Sequence, residues 1–277
     1  MAENKNGKKV FVHDVSICNG CYCCQIACKD EHVGNDWTPY AKPQPDTGQF
    51  WLKLNEYVCG TVPKVKMHYV PTLCNHCDNA PCMEACKIEG AIYKREDGLV
   101  IIDPVKCTGC KSCVDACPYH VIYFNEDLNI AQKCTGCAHL LDNGWKEPRC
   151  VDACPTLALK FVEESEAKDF IAKAEYLKPE RAAKDGVRVH YQNLPKRFIA
   201  GTVYDPVEKE VVIGASVTLA TKGGKKTYSA KTDGFGDFEF EKLPVGQFTL
   251  TIKEGKKSKE MKVSTDKDVS LGDIPLT

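Results

Sequence analysis

The sequence predicts an α+β protein in two parts: a cysteine-dense segment of short helices and hairpins, then an all-β sandwich. Three observations predict it. Of the 18 cysteines, 17 fall before residue 151 and none follows Cys154. Sixteen of them recur as four groups of four, with short helical or hairpin signals between the groups. From Phe198 onward apolar and polar residues alternate, the period of a half-buried strand. The expected divisions are residues 1–159, a helix and connector over 160–197, and the sandwich over 198–277.

A chain of 277 residues suits one large domain or two ordinary ones. A net charge of −1 argues against a nucleic-acid binder, which would carry a basic excess. Met1–Val10 is polar and lysine-rich, without an apolar core or twin arginine of a leader. The longest apolar runs, Leu99–Ile102 and Val211–Ile213, are too short to span a membrane. The expectation is therefore a cytoplasmic protein with no transmembrane segment, or one exported folded by a signal-bearing partner. In a reducing compartment many cysteines mean metal or redox chemistry rather than a disulfide framework.

The first group is Cys18, Cys21, Cys24 and Cys28, spaced C-x2-C-x2-C-x3-C. Cys23 lies inside it and is a rival for Cys24; the register selects Cys24. Residues Glu31–Val70 follow without expected ligands and contain Trp37, Trp51 and Cys59. We read the aromatics as a small packed loop core, with partner docking as the alternative, and Cys59 as an ordinary buried residue. The second group is Cys74, Cys77, Cys82 and Cys86, with a wider central loop. A hairpin is expected over Ala91–Lys94 and Leu99–Ile102, turned at Glu96-Asp97-Gly98. The third group, Cys107, Cys110, Cys113 and Cys117 before Pro118, has the C-x2-C-x2-C-x3-C-P run of bacterial ferredoxins. A second hairpin joins Val121–Phe124 to Ile130–Gln132. The fourth group is Cys134, Cys137, Cys150 and Cys154, with twelve residues between its middle members. Cluster loop, short helix and hairpin recur, so the first part reads as a duplicated bacterial-ferredoxin-like domain.

Ser165–Leu177 carries an apolar stripe at helical spacing, and Lys178–Lys196 reads as a charged surface connector. Seven strands are expected beyond it: Ile199–Tyr204, Ala215–Leu219, Thr227–Thr232, Phe238–Leu243, Gln247–Lys253, Glu260–Val263 and Val269–Leu271. Seven short strands in so few residues suit an immunoglobulin-like sandwich. Gly201-x-Val203, Thr232-Asp233-Gly234-x-Gly236-x-Phe238 and Leu243-Pro244-x-Gly246 resemble the carboxypeptidase-regulatory or transthyretin-like sandwich. No catalytic constellation lies there, so its expected role is structural.

Zinc is the rival for any C-x2-C pair. Zinc sites pair two doublets across a longer gap; the first and third groups break that pattern with a third cysteine two residues on. Iron–sulfur chemistry is the expectation. His76 and His139 lie beside ligand cysteines but fill no ligand slot, and are expected to bond sulfur or backbone. Lys29, Lys106, Lys111 and Lys133 also neighbour the cysteines, and we read them as solvated.

The four groups in this order, with the stretches Cys74–Cys82 and Gln132–His139, resemble the four-cluster iron–sulfur subunit of the molybdopterin oxidoreductases, the dimethyl sulfoxide reductase family. Ile102-Asp103-Pro104, Ala131–Cys137, His139-Leu140-Leu141-Asp142 and the appended sandwich narrow the likeness. They resemble the small subunits of pyrogallol–phloroglucinol transhydroxylase, resorcinol hydroxylases and catechol dehydroxylases. The resemblance implies four 4Fe-4S clusters with crossed ligation. Cys18, Cys21 and Cys24 would share a cluster with Cys154, and Cys134, Cys137 and Cys150 with Cys28. Cys74, Cys77 and Cys82 would pair with Cys117, and Cys107, Cys110 and Cys113 with Cys86.

It also implies a large catalytic partner holding molybdopterin bis-guanine dinucleotide with Mo or W, and an external electron donor or acceptor. The implied function is a non-catalytic electron relay for a phenolic substrate's reductive dehydroxylation, hydroxylation or transhydroxylation. Members of this branch can lack the third group's ligands, whereas Cys107, Cys110, Cys113 and Cys117 are complete here. That departure points to net redox chemistry. The rivals are a subunit of an anion or sulfoxide reductase, a free-standing polyferredoxin and a zinc scaffold.

Overall fold

Strand β1 (Lys9–Asp14) is apolar along most of its length and lies in the middle of a three-stranded sheet. The computed structural model describes residues 7–61, 64–224 and 226–277; the first six residues of the polar N-terminal stretch lie outside these. Two units emerge, one of residues 1–56 and 69–194, the other of 57–68 and 195–277.

The first unit continues with α1 (Cys23–His32), which leads toward a long hairpin, β2 (Leu52–Thr61) and β3 (Lys64–Leu73). The hairpin's far end, 57–68, groups with the second unit. Four helices of one turn follow the cysteine loops or lie within them: α2 (Pro81–Ala85), α3 (Ser112–Ala116), α4 (Ala138–Asp142) and α5 (Arg149–Asp152). Between them sit the two expected hairpins, β4 (Ile92–Lys94) with β5 (Val100–Ile102), and β6 (Tyr123–Asn125) with β7 (Ile130–Gln132). Helix α1 packs on α5 and α2 on α3, so the first group's helix meets the fourth's and the second's meets the third's.

Strand β8 (Leu159–Glu163) pairs antiparallel with β1. The helix expected over Ser165–Leu177 is only the single turn α6 (Lys168–Ile171). Glu175 instead exchanges both main-chain hydrogen bonds with Tyr191, at 2.7 and 3.3 Å, and pulls the chain out of helical geometry. The expected surface connector Lys178–Lys196 is overturned as well. It forms α7 (Pro179–Asp185), started by proline at its first position and stopped by left-handed Gly186, then β9 (Val189–Gln192). Strand β9 runs parallel to β1 with Phe11 opposite Val189. Its leading residue Arg188 is buried and forms a fork on Asp78, both bonds at 2.9 Å, with Glu164 at 3.1 Å. At Arg188 the charge marked a buried guanidinium paired with carboxylates at the surface rather than a solvated face.

The second unit is the sandwich. Its strands are β10 (Arg197–Asp205), β11 (Glu210–Val211), β12 (Ser216–Thr221), β13 (Thr227–Lys231), β14 (Asp237–Leu243), β15 (Gln247–Glu254), β16 (Lys257–Ser264) and β17 (Val269–Pro275). One sheet has the order β11-β10-β14 with β17 parallel on β10; the other is β13-β12-β15-β16. All seven expected strands are present, with β11 added. Val217, Leu219, Leu250 and Ile252, all fully buried, alternate with outward residues and face Ile199 and Val203 in one core.

Candidate metal centres

The four cysteine loops share one backbone device. The residue before each second cysteine is left-handed: Gly20 at φ 70°, His76 at 44°, Gly109 at 74° and Gly136 at 63°. That turn aims main-chain N–H groups back at the first sulfur. His76 N donates to Cys74 Sγ at 3.4 Å and Gly136 N to Cys134 Sγ at 3.3 Å. Gly109 could not carry a side chain, because a Cβ there would lie 2.4 Å from the Asn129 carbonyl oxygen. Only His76 departs from glycine, and its ring is held in place: Nδ1 accepts from Val100 N at 3.0 Å.

The loops bring cysteines of different groups together. Cys74, Cys77, Cys82 and Cys117 line one cavity of about 330 Å³, counted with the solvent at its mouth. Cys86, Cys107, Cys110 and Cys113 line another of about 340 Å³. Cys18 and Cys24 lie within electrostatic reach of Cys154. Cys28 lies close to Cys134 and Cys137, and Cys150 to all three. Cys23 is exposed, whereas Cys24 is turned inward. Cys59 is half-buried rather than buried, and belongs to the second unit.

Burial dominates the thiol chemistry. It pushes Cys24, Cys82 and Cys137 up to about 12 and Cys113 and Cys134 to about 11. Cys28 and Cys150 are pushed well above the usual range, by burial first and then by neighbouring sulfurs. As free thiols these groups stay protonated and unreactive. A metal that takes them must displace their protons, and in return satisfies a dense set of buried sulfurs. Two four-cysteine cavities and N–H donors aimed at sulfur fit a 4Fe-4S cube, whose four irons each need one thiolate. Among the described residues no three His, Cys, Asp or Glu side chains converge on a position for a single metal ion.

Among the neighbouring side chains some follow expectation and others, His139 and Lys133, do not. His139 bonds no sulfur: its Nε2 meets Glu31 Oε1 at 3.0 Å, and its ring stacks on Trp37 at 4.3 Å. The histidine beside sulfur is His32, with Nε2 3.8 Å from Cys137 Sγ. Its place was readable, since His32 follows Cys28 by one helical turn and shares its face. Trp51 is 1 % exposed and donates to Gln49 at 3.1 Å, so it packs the interior as read. Lys106 and Lys111 are exposed, and Lys29 is half-buried against the Gln49 carbonyl at 3.3 Å. Lys133 overturns its solvated reading, being 2 % exposed. It donates to the main-chain carbonyls of Val100 and, at 3.1 Å, Cys134.

Residues 65–164 match the model of a 4Fe-4S dicluster domain and residues 199–277 that of a carboxypeptidase regulatory-like domain. The chain belongs to the iron–sulfur electron-transfer subunits of the molybdopterin oxidoreductases. Within that class it is similar to the pyrogallol hydroxytransferase small subunit of Pelobacter acidigallici, 41 % identical over 96 % of this chain and 98 % of that protein. It is 36 % identical to the thiosulfate reductase electron transfer subunit of Salmonella typhi, over 65 % of this chain and 90 % of that one. Against the arsenate respiratory reductase iron-sulfur subunit of a Shewanella strain it is 33 % identical, over 65 % and 94 %. The sandwich distinguishes the first of these relatives: there the likeness runs nearly the whole chain, while the other two stop at about two thirds. Among the described residues no helix is long and apolar enough to cross a membrane.

Proposed function

We propose that this chain relays single electrons through four 4Fe-4S clusters to or from a large molybdopterin subunit that acts on a phenolic aromatic. The sets are Cys18, Cys21, Cys24 and Cys154; Cys134, Cys137, Cys150 and Cys28; Cys74, Cys77, Cys82 and Cys117; and Cys107, Cys110, Cys113 and Cys86. What carries the reading is the pair of four-cysteine cavities, each joining three cysteines of one group to the fourth of another, supported by the packing of α1 on α5 and α2 on α3. Each cluster, when bound, takes up or gives back one electron. The chain's own residues hold the thiolates apart, donate N–H to sulfur and exclude water. The molybdopterin, with Mo or W, belongs to the partner. The phenolic substrate rests on the near-complete likeness to the pyrogallol hydroxytransferase small subunit. The complete third group supports net electron exchange with an external partner, in the cytoplasm or in a complex exported folded.

Anaerobic purification from the native host tests this. Roughly 16 irons per chain and a molybdenum- or tungsten-bearing subunit that copurifies are expected. A chain that runs alone, replete with iron and without molybdenum or tungsten, would replace the subunit reading with a free carrier. Replacing Cys110 with Ser is expected to leave substrate binding intact and slow turnover with the external electron partner; unchanged turnover rules out passage through that set.

A further inference from the structure

Lys133 is a cation with no anion. It is 2 % exposed, and among the described residues its ammonium meets two main-chain carbonyls and no carboxylate. Burying a charge without a counterion is strongly unfavourable, so such groups are paired, neutralised or bound to something charged. Among the described residues no carboxylate pairs with it. Its neighbour His76 is buried and spends Nδ1 on Val100 N at 3.0 Å.

The thiolates of bound clusters would supply the missing anion. Lys133 lies within electrostatic reach of Cys82 and of Cys134, and bonds the Cys134 carbonyl at 3.1 Å. These two belong to different sets. The sets approach each other here, because Cys134 also lies within reach of Cys74. Val100, whose carbonyl Lys133 holds, lines the Cys74–Cys117 cavity. The ammonium therefore stands at the junction of the two sets.

We infer that Lys133 is a fixed countercharge shared by the set of Cys74, Cys77, Cys82 and Cys117 and the set of Cys134, Cys137, Cys150 and Cys28. This rests on the reading that both sets hold iron–sulfur clusters. An electron passing between them adds one negative charge to the set it reaches and removes one from the set it leaves. No proton moves, and the ammonium keeps its charge. Because it faces both sets, Lys133 favours the reduced form of each and raises the two potentials together. Lys106 and Lys111, in water, are screened and cannot do the same. Lys133 is a positioning residue: it touches protein carbonyls and acts on the clusters through space.

The test is a potentiometric titration followed by electron paramagnetic resonance, on the full chain with its copurifying partner, comparing wild type with Lys133→Met. Iron content is expected to stay at wild-type level. Two of the four midpoint potentials should fall, each reduction equilibrium shifting about tenfold or more, ~59 mV for one electron. The other two should not move, and Lys133→Arg should restore the pair. Four unchanged potentials in an iron-replete variant overturn the inference, and so does an equal fall of all four, which would mark a general structural effect. Should Lys133→Met fail to load iron, Lys133→Gln keeps a donor for the carbonyls without the charge. It is expected to lower the same two potentials, and wild-type values in it overturn the inference. Loss of the cluster reading itself would register differently, as wild-type protein with far fewer irons.

Discussion

The two units are stabilised by opposite means. In the sandwich, strands of six to nine residues enclose a core with Val217, Leu219, Leu250 and Ile252 at its centre. Apolar burial of that kind is sufficient to fold a domain of its size. Beyond α1 and α7 the first unit's helices have four or five residues, and its two small hairpins have strands of three. Helices so short do not persist alone in water. Much of its core is sulfur: Cys28, Cys74, Cys77, Cys82, Cys113, Cys117, Cys134 and Cys150 are all buried in it. The part that does the chemistry is held by what it binds, and the part without chemistry holds itself.

Removing iron should break that comparison open most visibly. Chelation under anaerobic, reducing conditions is expected to collapse amide protection across 7–56 and 69–194, while 197–277 keep theirs in hydrogen exchange. Uniform loss in both units would mean that they fold as one cooperative block. Next in size, Leu250→Ala removes a fully buried side chain from the sandwich alone. It should cost about 2–5 kcal/mol in that unit's unfolding and leave iron content unchanged; lost iron would contradict the separation.

A pH effect of a few kcal/mol should appear in the first unit. Burial lowers both His13 and His190 to about 4 from the usual 6.5. The unfolded chain therefore binds more protons between pH 6.5 and 4. The stability these two contribute is complete above 6.5 and is lost as the pH falls through that window, by about 3 kcal/mol each at most. A His13→Phe variant should flatten the dependence of the first unit's unfolding midpoint between pH 7.5 and 5; an unaltered slope refutes the assignment. Smallest is Lys66→Ala in the second unit. Lys66 pairs with Glu239 at 3.6 Å and with Glu241, all substantially exposed. The expected cost is about 0–1 kcal/mol, vanishing in high salt, as read by chemical denaturation at two ionic strengths.

What could be read from the chain divides along a physical line. Cysteine spacing and strand alternation are local signals, so the four groups, the two small hairpins and the seven sandwich strands were legible. Pairings across long sequence distances were not. Strand β1 begins in a lysine-rich stretch, and its place is fixed by β8 and β9, more than a hundred residues later. The stripe over Ser165–Leu177 is a sound helical pattern that lost to the Glu175–Tyr191 bridge. Lys133 looks like any lysine beside a loop; only the burial of Gln132–Cys134 against Val100 gives it away. His32 could have been found by extending the helix of Cys28 one turn.

The parallel pairing of β1 with β9 also sets a timetable. Phe11 leaves the ribosome 178 residues before its partner Val189. At about 5–20 residues per second the strand waits roughly 10–35 s with that edge bare. All sixteen cysteines of the four groups emerge during that interval, before the sheet that closes their unit exists. The window in which iron can be delivered to an open chain is therefore written into the order of its strands.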